Sequence, residues 1–117
     1  MASEILNVDI CVIGAGSAGL SVAAGTALLG ASTVLIEKGR MGGDCLNYGC
    51  VPSKALLAAA HAAQAVRNAG RFGIMAGEPG IAKAGVAAHV KGAIAAIAPN
   101  DSVERFAGLG VRVIQGE

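Results

Sequence analysis

Val8-Asp9-Ile10-Cys11-Val12-Ile13-Gly14-Ala15-Gly16-Ser17-Ala18-Gly19 decides the fold of this 117-residue chain. An apolar run broken only by Asp9 stops at Gly14 and reads as a buried strand. The alanine- and leucine-rich stretch from Gly16 to Leu29 reads as a helix, with Gly30 where a C-cap belongs. Thr33–Ile36 is β-branched and apolar and ends at Glu37, so it reads as a second buried strand. Strand, tight glycine turn, helix and strand within about thirty residues make a βαβ unit.

Gly14, Gly16 and Gly19 fit the spacing G-x-G-x-x-G, and each has a mechanical reason. Gly14 permits the tight turn from strand to helix, Gly16 lets backbone approach a pyrophosphate, and Gly19 lets the helix lie close to the strand. Ala23 and Gly30 add small residues on the same helix. The helix N-terminus offers free N–H groups and a positive dipole end to phosphates. Glu37 lies about twenty residues on, where a carboxylate accepts from ribose hydroxyls. The motif does not separate FAD from NAD, although Glu37 argues against a 2′-phosphate at this site. Glycine turns also occur for packing alone, and a strand-end carboxylate can simply be solvated.

Downstream, Gly39–Gly49 is expected to be a loop that carries Cys45. A helix should begin within Cys45–Cys50 and run to about Asn68, ending at Gly70, with Pro52 tolerated in its first turn. Phe72–Ile81 reads as a connector. A second long helix is expected from about Lys83 to Ile97, stopped by Pro99. Asp101-Ser102-Val103-Glu104 resembles a capping box leading toward Phe106. Val111–Gln115 alternates like a third strand. A doubly wound nucleotide fold has five or six strands. The expectation is therefore an incomplete Rossmann-like α/β domain, a parallel sheet with flanking helices, over residues 1–117.

Composition narrows the partners. The net charge is +1 with no basic or acidic block, so nothing marks a nucleic-acid or anionic-membrane surface. Hydrophobic residues make up 54% of the chain, but many are alanine and aromatics are only 3%, which predicts a shallow core. The N-terminus is acidic where a signal peptide would be basic, and no apolar stretch reaches the roughly 18 residues of a membrane span. A cytoplasmic setting is the expectation.

Three cysteines suit one working pair, Cys45 and Cys50, and one buried core thiol, Cys11. Gly49 relaxes the turn between the pair, and a thiolate near a helix N-terminus is stabilised, so one of the two should have a lowered pKa. Two buried structural thiols are the bland alternative. Soft-metal binding is another, but a structural zinc site needs about four ligands and nothing in the sequence places His61 or His89 nearby. No metal site is expected.

Gly42-Gly43-Asp44-Cys45-Leu46-Asn47-Tyr48-Gly49-Cys50-Val51-Pro52-Ser53-Lys54 resembles the active-site signature of the class I flavoprotein (pyridine nucleotide-disulfide) oxidoreductases. The glycine motif upstream resembles the FAD site of the same family. The likeness is strong over about residues 8–60, and its nearest branches are those of dihydrolipoamide dehydrogenase and mercuric reductase. It implies that Gly14, Gly16, Ser17, Ala18, Gly19, Glu37 and Lys38 bind FAD, with Glu37 on the adenosine ribose. Gly43, Asp44 and Cys45 would line the pyrophosphate and ribityl path, and Lys54 would reach the flavin ring. Cys50 would be the charge-transfer thiolate against the flavin, and Cys45 the interchange thiol that meets substrate.

The resemblance further implies electron flow between NAD(P)H, FAD, the Cys45–Cys50 disulfide and a small disulfide, dithiol or metal-ion substrate. The whole protein would be a homodimeric, NAD(P)-linked enzyme serving cell redox homeostasis. The NAD(P) and dimerisation domains would be absent from these residues, leaving the piece inactive alone. A non-catalytic redox-sensing or FAD-binding module is the alternative. Two positions depart from the family pattern: Asp44 replaces the usual Thr, and Tyr48 the usual Val. Asp44 should raise the pKa of the first thiol by repulsion, and Tyr48 should narrow the substrate side.

Overall fold

The computed structural model describes residues 3–117. Strand β1 is Ile10–Ile13, helix α1 Ser17–Leu28 and strand β2 Thr33–Glu37. Helix α2 follows at Gly43–Asn47, α3 at Cys50–Arg67, α4 at Lys83–Ile97 and α5 at Val103–Gly108. Strand β3 is Arg112–Gln115. The three strands form one parallel sheet in the order β1-β2-β3. The α/β class, the βαβ unit and the third strand stand as the sequence implies.

Register explains the core. Val12, Leu35 and Val113 stand side by side across the sheet. α1 and α5 cover that face, where Val12, Ala15, Leu20, Ala23, Leu35, Phe106 and Val111 form one buried cluster. Phe106 and Leu35 are its largest fully buried side chains. Side chains alternate across a strand, so Cys11 and Ile13 point to the opposite face. Cys11 is exposed, and Ile13 is 84% exposed. The expected buried core thiol is therefore corrected: β1 is buried on one face only, and a short apolar run conceals which face that is.

Helix α1 lies close to β1 because Gly19 has no side chain. A Cβ there would fall 1.8 Å from the Gly14 carbonyl oxygen. At its other end, Gly30 takes φ +86° and donates to Ala27 O at 3.0 Å, while Ala31 N–H reaches Thr26 O at 3.0 Å. That pair of bonds is a Schellman cap. Gly30→Ala forces an L-residue into left-handed backbone, at a cost of about 1–2 kcal/mol. We expect a lower denaturant midpoint at unchanged m-value, read by urea titration.

The expected loop at Gly39–Gly49 contains a helix. Gly42 takes φ +90°, and α2 turns at once so that Leu46 buries itself over Gly42. Asn47 Nδ2 donates to Met41 O at 3.1 Å and Gly43 O at 2.9 Å, which ties the turn together. Five residues rich in glycine carry too little periodicity to announce a helix; the burial of Leu46 decides it. Helices α3 and α4 then pack as a hairpin, and the molecule measures 70 × 31 × 18 Å. Ser102 caps α5 by accepting from Arg105 N–H at 3.2 Å, as the capping pattern implies. No helix is long and apolar enough to cross a membrane.

Candidate dinucleotide and dithiol site

The strands end at a glycine turn. Gly14 takes φ +98° and donates to Ile36 O at 2.7 Å, which pins the turn to β2. Gly16 is the N-cap of α1, and no side chain caps it. The first helical bond runs from Leu20 N–H to Gly16 O at 2.9 Å. Amides ahead of it have no intrahelical acceptor and face outward with the positive dipole end. A Cβ on Gly16 would meet nothing within 4 Å. The chain's own packing therefore does not require glycine there, whereas an approaching ligand would.

The cysteine segment rests on this turn. Gly43 takes φ +56°, and a Cβ on it would come 2.8 Å from Gly16 Cα. Gly42 N–H donates to Ala15 O at 2.9 Å. Two neighbouring hollows share Ile13 and Gly14. One, of about 410 Å³, is lined by Ile36, Glu37 and Lys38 beside them. The other, of about 390 Å³, is lined by Gly16, Ser17, Ala18, Gly19, Asp44 and Cys45. Together they make a track from the acid at the end of β2, across the glycine turn, to the first cysteine. This lies outside the carboxyl ends of parallel strands, where open α/β sheets bind nucleotides. The residues fit a dinucleotide. Asp44 is the discordant one, since it brings a carboxylate to a stretch suited to phosphate.

Glu37 is half-buried, and its carboxylate accepts from Ala15 N–H at 2.5 Å and Gly39 N–H at 2.6 Å. Those bonds hold its pKa below the ordinary carboxylate value, with the Ala15 amide the largest cause. The stabilisation is present above the unfolded value of 4.5 and is lost as pH falls through the lower folded value. We expect stability of the protein to decline below about pH 4.5 partly through this group. Glu37→Gln should flatten that acid limb in urea titrations at stepped pH. An acid limb identical to wild type would remove Glu37 from the account.

Cys45 lies half-buried on α2, and Cys50 is the exposed first residue of α3. Both are free thiols. The Cys45 pKa is raised, first by its hydrogen bond with the Cys50 side chain, then by burial and by the Cys50 charge; the Cys50 amide and the Lys54 charge oppose this weakly. This corrects two expectations. Cys45 is not a thiol with lowered pKa, and Asp44 is not what raises it. In the reduced pair, the two sulfurs share one site and cannot both ionise easily. Lys54 stands one turn beyond Cys50 on the same side of α3. It lines a hollow of about 350 Å³ with Cys50, Val51 and His89. Tyr48 is 70% exposed and borders none of these hollows, so it does not narrow them.

Three residues near the cysteines escaped the sequence. His89 comes from α4, and Asp101 and Arg105 come from the turn before α5 and from α5 itself. All are distant along the chain, and only the packing of the helices brings them in. No sequence pattern could have found them.

Residues 8–115 match the family described as pyridine nucleotide-disulphide oxidoreductase, and the chain belongs to that family. It is 47% identical over 74 residues to a mercuric reductase of Streptomyces lividans, covering 62% of this chain and 16% of that protein. It is 53% identical over 66 residues to a dihydrolipoyl dehydrogenase of Chlamydia trachomatis, covering 56% and 14%. A dihydrolipoyl dehydrogenase of Haemophilus influenzae is 38% identical over 115 residues, covering 92% of this chain and 24% of that one. The chain thus spans a quarter or less of the length of these relatives. It corresponds to an N-terminal region of an oxidoreductase of this family, similar to both kinds of enzyme.

Proposed function

We propose that residues 1–117 form the N-terminal FAD-binding and redox-dithiol part of an NAD(P)H-linked oxidoreductase. The observation that carries this is the track from Glu37 across Gly14–Gly19 to Cys45. Glu37 and Lys38 hold the adenosine end, and the amides of Gly16, Ser17, Ala18 and Gly19 take the pyrophosphate. Gly43 and Asp44 border the path beyond, and Lys54 stands beside Cys50 at its far end. FAD bound there supplies two-electron exchange between a nicotinamide and the thiol pair.

The chain's own step is thiol–disulfide exchange. The Cys45 thiolate attacks one sulfur of a substrate disulfide, and the leaving thiolate takes a proton. Cys50 then attacks the Cys45 sulfur, closing the Cys45–Cys50 disulfide and releasing the second thiol. The substrate is reduced by two electrons and the pair is oxidised by two; dithiol substrates run the exchange backwards. By the same reading, nicotinamide binding and homodimer formation belong to sequence beyond Glu117, and residues 1–117 alone do not turn over.

The test is the visible spectrum of the full-length protein, loaded with FAD, freed of unbound flavin and titrated with a dithiol. A retained flavin band that gains a long-wavelength shoulder on reduction supports the assignment, because only a thiolate against the ring produces it. Loss of the flavin on a desalting column, or reduction with no shoulder, would count against it.

A further inference from the structure

Cys45 borders a second hollow besides the dinucleotide track. It has a volume of about 340 Å³, and its wall is formed by Ser17 and Ser21 of α1 with Asp101, Arg105 and Phe106. That size lies within the roughly 300–1,000 Å³ of small-molecule sites. Arg105 is held in place there. Its Nη1 donates to Asn100 O at 2.6 Å, and its guanidinium lies 5.5 Å from the centroid of the buried Phe106 ring. Arg105 and Asp101 face the same hollow, yet neither makes an ion pair with the other or with any other described residue. A fixed guanidinium and a separate carboxylate, both unneutralised beside a thiol that exchanges with substrate, form a pattern of opposite charges for a ligand to complete.

We propose that this hollow selects a small zwitterionic disulfide, with a carboxylate on Arg105, an ammonium group on Asp101 and one sulfur at Cys45. The inference rests on the proposed exchange at Cys45 and adds the substrate class to it. The exchange balances as written above: one substrate S–S bond breaks, the Cys45–Cys50 bond forms, and the two thiol protons pass to the released thiols. Arg105 and Asp101 touch the ends of the substrate and orient it; they take no part in bond making. A neutral, largely apolar disulfide gains nothing from either group.

The full-length protein, reduced with its nicotinamide, would be challenged with four disulfides. These are cystine (zwitterionic), 3,3′-dithiodipropionate (anionic), cystamine (cationic) and 2-hydroxyethyl disulfide (neutral). Cystine should lead in kcat/KM, with the gain in KM. Arg105→Gln should lower the ratio of cystine to neutral disulfide by about tenfold, as expected for one lost charge-assisted hydrogen bond. Arg105→Glu should move the preference toward cystamine, a reversal that misfolding cannot produce. Equal rates for all four disulfides, or an unchanged ratio in both variants, would overturn the zwitterion inference while leaving dithiol exchange standing. If none of the four oxidises the pair, the exchange reading falls as well.

Discussion

Gly19→Ala is expected to dislodge α1 from the sheet and abolish flavin retention. The added Cβ falls 1.8 Å from Gly14 O and 3.3 Å from Val12 Cγ1. The closer obstacle is backbone, which cannot rotate away as a side chain can. Either the helix lifts off the cluster around Val12, Leu20 and Leu35, or the glycine turn deforms. Overpacking of this kind costs about 3 kcal/mol or more when the obstacle is rigid. In a shallow, alanine-rich core that is a large share of the stability. Gly16→Ala is the informative contrast, because its Cβ enters open space. It should fold with stability within about 0.5–1 kcal/mol of wild type, the helix-cap change being small, yet lose FAD affinity. Urea titration and flavin retention, measured side by side, separate the two roles. Equal stability loss in both variants would mean that Gly16 is also a packing glycine.

Replacing either cysteine should reduce disulfide turnover by on the order of 10³-fold or more, because the two act as one unit and neither has a substitute nearby. The variants are expected to differ in a second respect. The Cys50 side chain is the first cause of the raised Cys45 pKa. Cys50→Ala removes the hydrogen bond and the competing charge together. The Cys45 pKa then falls toward the ordinary thiol value of 9.0. Its alkylation by iodoacetamide should therefore half-saturate at lower pH than in the reduced wild type. Cys45→Ala leaves Cys50 exposed at the start of α3 and open to the same reagent. An alkylation profile for Cys45 that stays put in Cys50→Ala would show that burial, the second cause, dominates.

The alternation of strand, glycine turn, helix and strand was fully legible. Gly14, Gly19 and Gly30 mark points where backbone must turn left-handed or approach closely, and such constraints are local enough to be written in one sequence. The Cys45–Cys50 pair and the carboxylate at Glu37 were legible for the same reason, since each occupies a fixed offset from an element that its own sequence defines. Helix α4 was legible within a residue at each end because an uninterrupted apolar stretch stops at Pro99.

Burial and charge at a distance were not legible. The exposed face of β1, with Cys11 on it, depends on which side α1 and α5 cover. The register Val12–Leu35–Val113 sets that, through strands far apart in sequence. Helix α2 exists because Leu46 finds a place over Gly42, a packing gain that no propensity of Gly43–Asn47 foretells. The Cys45 pKa follows Cys50 rather than the adjacent Asp44, because the side-chain hydrogen bond links Cys45 to Cys50. Arg105 and Asp101 reach Cys45 only after α5 docks Phe106 into the α1 cluster. The sequence by itself thus determined the βαβ frame and the chemistry of its motifs, both of which rest on short-range backbone geometry. The tertiary structure alone decided which faces are covered and which charges stand beside the thiols, since those depend on contacts between segments that the chain keeps far apart.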